Sequence, residues 1–182
     1  MSRQTEPRQR YDRVTIALHW TTALLVLVLF ALAEIWGFLP RGTPLRRNFQ
    51  ALHISLGILL TAVFVFRGVW RLTQGRRLPA ATTGLQNLAA IAANWALYGL
   101  LAAQIVLGFL FRWAQGEPFL FFGLFPIPSP MTPDRPTAHS FGELHENIAW
   151  IIILLAGVHA AAALVHHYVL RDGLLQRMLP AR

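Results

Sequence analysis

The sequence predicts an all-α membrane domain, a single four-helix transmembrane bundle over residues 1–182 with both termini in the cytoplasm. Three observations predict it. Hydrophobic residues make up 55% of the chain and charged residues 13%, about half the charged share of an ordinary soluble domain, and mean hydropathy is positive at +0.46. Four apolar runs are each long enough to cross a hydrocarbon core as a helix of about 20 residues. The arginines fall unevenly on the two sides that an even number of spans creates.

Residues 1–13 are polar and carry Arg3, Arg8, Arg10 and Arg13, the composition of a short cytoplasmic leader. Span one covers about 14–38. Its run from Val14 to Ala33 exceeds the 7–15-residue core of a secretory signal and contains His19 and Trp20, so it is expected to be retained despite the small-residue pattern Ala31-Leu32-Ala33. It ends at Pro40-Arg41-Gly42-Thr43-Pro44, a turn that stops a helix. Span two covers about 49–70 and is followed by a loop marked by Arg71, Arg76, Arg77, Pro79 and Gly84. Span three covers about 88–113.

The segment 114–142 is too long for a simple connection, and its run Phe119 to Phe125 is too apolar to float in water. It is expected to fold over the end of the bundle as a lid; the other reading is a surface segment that only shields helix ends. Span four covers about 144–170.

All sixteen basic residues are arginine. The leader, the second loop and the tail hold Arg3, Arg8, Arg10, Arg13, Arg67, Arg71, Arg76, Arg77, Arg171, Arg177 and Arg182, against Arg41, Arg46, Arg47, Arg112 and Arg135 on the other side. Eleven against five places both termini inside. The outer five are balanced by Glu34, Glu117, Asp134, Glu143 and Glu146. The net charge is +8, but the arginines lie between apolar runs and form no recognition element, so membrane lipid and not nucleic acid is the expected surrounding. The chain has no cysteine, which excludes disulfides, iron–sulfur clusters and thioether-linked haem.

Ionisable side chains inside a bilayer are costly and mark cofactors, pathways or relays. Four histidines lie in the apolar spans: His19, His53, His145 and His159. The fourteen residues between His145 and His159 are close to four helical turns, so both imidazoles leave one face at heights about 21 Å apart. With the orientation above, His53 and His145 share the outer half of the membrane and His19 and His159 the inner half. Depth therefore pairs them around two haems, each iron ligated by two imidazoles and suited to electron transfer. His139 lies in the Pro-rich loop, and His166 and His167 lie near the inner end of span four; these three are expected to handle solvent, substrate or protons. His145-Glu146 begins a zinc-protease motif, but Ala149 occupies the place of its second histidine.

The run Arg10-Tyr11-Asp12-Arg13-Val14-Thr15-Ile16-Ala17-Leu18-His19-Trp20, the step from His53 to Gly57, and the span-four pattern His145, His159, His166-His167 through Met178 resemble the bacterial cytochrome b561 family over nearly the whole chain. The resemblance implies a multi-pass protein of the bacterial inner membrane with two b-type haems, and by matching positions it supports His19, His53, His145 and His159 as ligands.

One branch of that family oxidises superoxide outside the membrane and reduces ubiquinone. On that pattern Arg46, Arg47, Arg112 and Arg135 are candidates to steer the anion, while Arg13, Thr15, His166, His167, Tyr168 and Arg171 are candidates for the quinone, with histidine suited to proton delivery. Arg67 and Arg71 are placed to neutralise inner haem propionates. A second reading is a cytochrome b relay subunit of a membrane dehydrogenase, such as a hydrogenase or formate dehydrogenase, whose redox partner supplies the electron. A third is a non-redox bundle with relay histidines.

Overall fold

The computed structural model describes residues 10–116 and 118–180. Arg3, Arg8, Glu117 and Arg182, counted above for orientation and charge balance, lie outside the described residues. Four long helices carry the chain: α1 (Arg13–Gly37), α2 (Pro44–Thr73), α3 (Gly84–Gln115) and α4 (Arg135–Val165). All four are long and apolar enough to cross a membrane. The described residues therefore form an all-α fold, with one small addition between α3 and α4.

Each helix starts where the local chemistry supplies a cap. Asp12 precedes α1 with extended backbone, and its carboxylate accepts from the Thr15 N–H at 2.8 Å, satisfying one of the free donors of the first turn. Thr43 caps α2 in the same manner, with Pro44 in its first turn. At its far end α3 closes on Gly116 at φ 73°, the left-handed conformation that favours glycine. A Cβ on Gly116 would also meet the Pro133 ring at 2.3 Å, so this position is restricted twice over.

Two helices begin earlier than hydropathy indicates. Pro44 and Pro136 stand where a helix is expected to be interrupted, yet each lies in the first turn of its helix, where the missing N–H costs nothing and the fixed φ is already helical. As a result α2 starts five residues before Phe49 and α4 nine residues before Leu144. His53 and His145 thus sit about three turns inside their helices and do not open them. At 31 residues, α4 is about 46 Å long, more than a hydrocarbon core of about 30 Å requires.

The Phe-rich segment is not a plain loop. Phe119–Phe121 (β1) and Phe125–Ile127 (β2) pair antiparallel, with Phe119 opposite Ile127 and Phe121 opposite Phe125. Phe122 and Gly123 both take positive φ at the tip, 47° and 74°, which matches the twist of a tight hairpin. Phe119 is buried, whereas Leu120, Leu124 and Phe125 are exposed.

The core is a narrow layer: Leu25 and Leu29 of α1, Leu60 of α2, Leu101 of α3 and Ile152 of α4 meet at mid-height, flanked by Val26, Leu56 and Phe64. Large apolar side chains such as Leu27, Leu85, Trp95, Leu154 and Val158 face outward, as expected where the solvent is lipid. Along the bundle α1 packs on α2 and α3 on α4, but contact between these two helix pairs is sparse. A seam is left between them.

Candidate functional site

The four membrane histidines line that seam. His53 on α2 and His145 on α4 come from opposite helix pairs, and their ring centroids are 6.3 Å apart with planes at 72°. The Nδ1 of His53 lies 2.9 Å from the Leu29 carbonyl on α1. A carbonyl can only accept, so Nδ1 carries the proton and Nε2 is left as the nitrogen with a free lone pair. The edge of Trp36 fixes the same ring from the side, at 4.9 Å.

His145 is shaped by α3. A Cβ on Gly108 would stand 3.3 Å from His145 Cε1, so glycine there lets the imidazole lie against the helix backbone. The ring is also beside the Gln104 backbone, and its Nδ1 is buried without a well-formed hydrogen bond. A buried polar atom without a partner is costly in a finished structure. The separation of the rings leaves room for one metal ion bound about 2.0 Å from a nitrogen of each imidazole. Free Nε2 on His53 and the glycine cradle beneath His145 fit a flat prosthetic group seated in the seam.

The second pair lies towards the end that carries the chain termini. His19 of α1 and His159 of α4 are within electrostatic reach of one another and of Arg67. An Arg67 Nη2 lies 3.3 Å from His19 Nδ1, and the guanidinium covers the Tyr98 ring at 4.9 Å. Guanidinium has no acceptor, so in this arrangement Nδ1 of His19 receives the hydrogen bond. The two pairs therefore differ: His53 has its Nδ1 proton tied to a carbonyl, while His19 Nδ1 is bonded to a guanidinium. Arg71 does not join them. It donates to the Arg76 carbonyl at 3.0 Å and lies over Tyr11.

At the opposite end the hairpin is latched to α2 by Ser55, which is 2% exposed and accepts from the Phe122 N–H at 2.9 Å. Ser55 is two residues from His53, at nearly the same height but on a different face of α2, so the Phe-rich segment is fastened to α2 at the level of the first histidine pair. The arginines expected to steer an anion are all at this end but are variously occupied. Arg46 donates to the carbonyls of Trp36 and Leu39 at 2.7 and 2.8 Å, closing the last turn of α1. Arg112 lies 5.9 Å from the Phe119 ring centroid and donates to Gln115. Arg47 and Arg135 are exposed.

Among the described residues the quinone candidates stand in two groups, at the start of α1 and at the end of α4. Thr15 donates its hydroxyl to Asp12 at 2.7 Å. Arg13 lines an open cleft of about 460 Å³ with Arg10, Tyr11, Trp20 and Leu179. His166, His167 and Arg171 stand instead at the end of α4, where the helix widens into a π turn over His166–Leu170. Arg171 donates to the Tyr168 carbonyl.

Several contributors escape inspection of the sequence. Asp12 accepts from Thr15, from the Trp70 indole at 3.1 Å and from the Arg76 N–H at 3.0 Å. Burial opposes its ionisation, but these hydrogen bonds outweigh burial and hold its carboxyl below the usual carboxylate range. Its place before a Thr at the third helical position is an N-cap signature, the one cue the sequence offers. Gly108, Ser55 and Asp172, which bonds His166, carry no comparable cue.

A family model described as prokaryotic cytochrome b561 matches residues 10–181. Cytochrome b561 homolog 2 of Escherichia coli strain K12 is 34% identical over 176 residues, covering 96% of this chain and 94% of the relative. Cytochrome b561 homolog 1 of the same strain is 30% identical over 175 residues, 95% and 98% of the two chains. A protein of Yersinia pestis named probable superoxide oxidase CybB is 28% identical over 176 residues, 96% and 98% of the two chains.

Proposed function

Since the chain belongs to the prokaryotic cytochrome b561 family, whose members are membrane cytochromes with haem b, we propose that it binds two haem b groups and carries electrons across the bacterial inner membrane from superoxide outside to ubiquinone. The observation that carries this reading is the His53–His145 pair, 6.3 Å apart across the seam. His53 and His145 hold the outer group, His19 and His159 the inner one, and both termini lie in the cytoplasm. Haem b, when bound, supplies a one-electron carrier.

The residues of the chain do the rest. Leu29 fixes the His53 tautomer through its carbonyl, which keeps Nε2 aimed into the seam. Gly108 sets how closely the His145 ring approaches α3. Arg67, which bonds His19 and covers Tyr98, would be the cation nearest a carboxylate of the inner group. Arg71, engaged with Arg76 and Tyr11, is the second cation for such an acid. On the outer side the exposed Arg47 and Arg135 raise the local concentration of an anion. The reaction is oxidation of superoxide to oxygen, and support for that substrate comes from the relative named probable superoxide oxidase. Arg13 and Thr15 at the start of α1 and His166, His167 and Arg171 at the end of α4 lie at the inner side, where the quinone is reduced.

The purified protein, examined alone, tests this reading. A reduced-minus-oxidised spectrum should show b-type haem at about two per chain, and a pulse of superoxide should reduce it within the mixing time, with ubiquinone re-oxidising it. Reduction only in the presence of a dehydrogenase partner would assign the chain to a relay subunit instead, and a spectrum without haem would end both redox readings.

A further inference from the structure

At the end of α4 three departures from regular structure coincide. The helix widens into a π turn over His166–Leu170, a feature that recurs at functional positions. Arg171 then takes φ 53°, a left-handed conformation that costs a non-glycine residue energy. The reversal brings Asp172 back over the helix end, where its N–H donates to the His166 carbonyl and its carboxylate bonds His166 Nδ1. A second carboxylate oxygen accepts from the Leu174 N–H at 3.0 Å. Burial opposes the charge of Asp172, but the bonds from His166 and Leu174 outweigh it and keep the carboxyl below its ordinary range.

The position of His166 gives this arrangement a direction. Seven residues after His159 amount to about two turns, so His166 lies about 10 Å further along and within about 20° of the same helix face. His167 lies about a quarter turn away and packs its ring on Tyr168 at 4.7 Å. Of the two neighbouring histidines, His166 alone continues the seam-facing row. With Nδ1 held by a carboxylate, its Nε2 is the nitrogen left to exchange a proton.

We infer that Asp172 is a positioning residue that holds His166 as the proton donor to the quinone at the inner end of the seam. This rests on the reading of the chain as a quinone-reducing cytochrome. Two superoxide ions give up one electron each and leave as oxygen; the quinone takes those two electrons and two protons. For each proton the Nε2–H bond of imidazolium His166 breaks and an O–H bond forms at a quinone carbonyl oxygen. His166 remains neutral with its Nδ1–H on Asp172, and cytoplasmic water returns the proton to Nε2. The strained turn keeps the carboxylate in place between turnovers.

The test uses the full chain with its haems reduced, mixed with a short-chain ubiquinone, in Asp172→Asn, His166→Gln and the double variant. The haem spectrum should be retained. Re-oxidation by quinone should slow at least tenfold in maximal rate with little change in half-saturating quinone, the double variant should be no slower than His166→Gln alone, and Asp172→Glu should recover part of the rate. Re-oxidation by ferricyanide, which takes no proton, should be unchanged. Rates with quinone within twofold of the parent in Asp172→Asn would overturn the role of Asp172; a shared loss with ferricyanide would overturn it in favour of a disturbed haem. If the parent protein itself passes no electrons to quinone, the functional reading fails and the proton role with it, an outcome distinct from both.

Discussion

The indole of Trp70 donates to the carboxylate of Asp12 at 3.1 Å, joining the residue that caps the start of α1 to the last turns of α2. The same carboxylate receives the Arg76 N–H from the loop that follows. One half-buried carboxylate thus fastens a helix start, a helix end and a loop at the end of the bundle where the chain termini lie.

Asp12→Asn should lower the thermal midpoint of the purified protein, with a loss of about 1–2 kcal/mol typical of a missing helix cap. The sign of its pH dependence follows from the depressed carboxyl of the folded state. The stabilisation is fully present above the ordinary carboxylate range and is lost as pH falls through the folded value. The gap between parent and variant midpoints should therefore be widest near neutrality and shrink on acidification below about pH 4. A gap that is constant with pH would show that ionised Asp12 is not the source.

On the proposed pairing, His145→Ala and His159→Ala should each leave about one haem per chain, with different residual spectra or potentials, because the pair that remains lies at a different depth in each. The check is haem content per protein together with a redox titration. Loss of both haems from either variant would contradict independent pairs.

Gly108→Ala adds a methyl group at 3.3 Å from His145 Cε1, close enough to push the ring by a few tenths of an ångström. It should keep both haems and move the potential of one. Gly108→Val, which cannot be met by so small a shift, should lose the outer haem. Two unchanged haems in Gly108→Val would show that the ring has room the structure does not indicate.

Ser55→Ala removes the acceptor of the Phe122 N–H and the latch of the hairpin. The expected cost is about 1 kcal/mol, and the hairpin tip should become susceptible to limited proteolysis while haem content stays the same. Resistance equal to the parent would mean that the Ser55 bond is not what holds the segment.

What was legible in the sequence follows the strength of each physical signal. Apolar length fixed the existence of four helices, since lipid as solvent leaves few alternatives. The beginnings of α2 and α4 were hidden because Pro44 and Pro136 carry opposite meanings inside a helix and in its first turn. Spacing put His145 and His159 on one helix face, and depth matched His53 to His145, whose rings the structure places 6.3 Å apart. The bond between Asp172 and His166 depends on a π turn followed by a left-handed arginine, neither of which has a period that can be read. The family resemblance makes Arg46 a candidate to steer an anion; that its guanidinium also closes the carbonyls at the end of α1 has no cue in the sequence.

The seam has a consequence for how the protein is made and kept. Each helix pair, α1 with α2 and α3 with α4, is drawn from one continuous stretch of chain and can zip up locally as it leaves the ribosome, whereas little protein surface joins one pair to the other. The paired histidines reach across that joint. Whatever they grip acts as mortar, and its stabilising effect grows with its concentration over its dissociation constant. On the proposed reading, a supply of prosthetic group should therefore raise the abundance of the assembled protein in the cell.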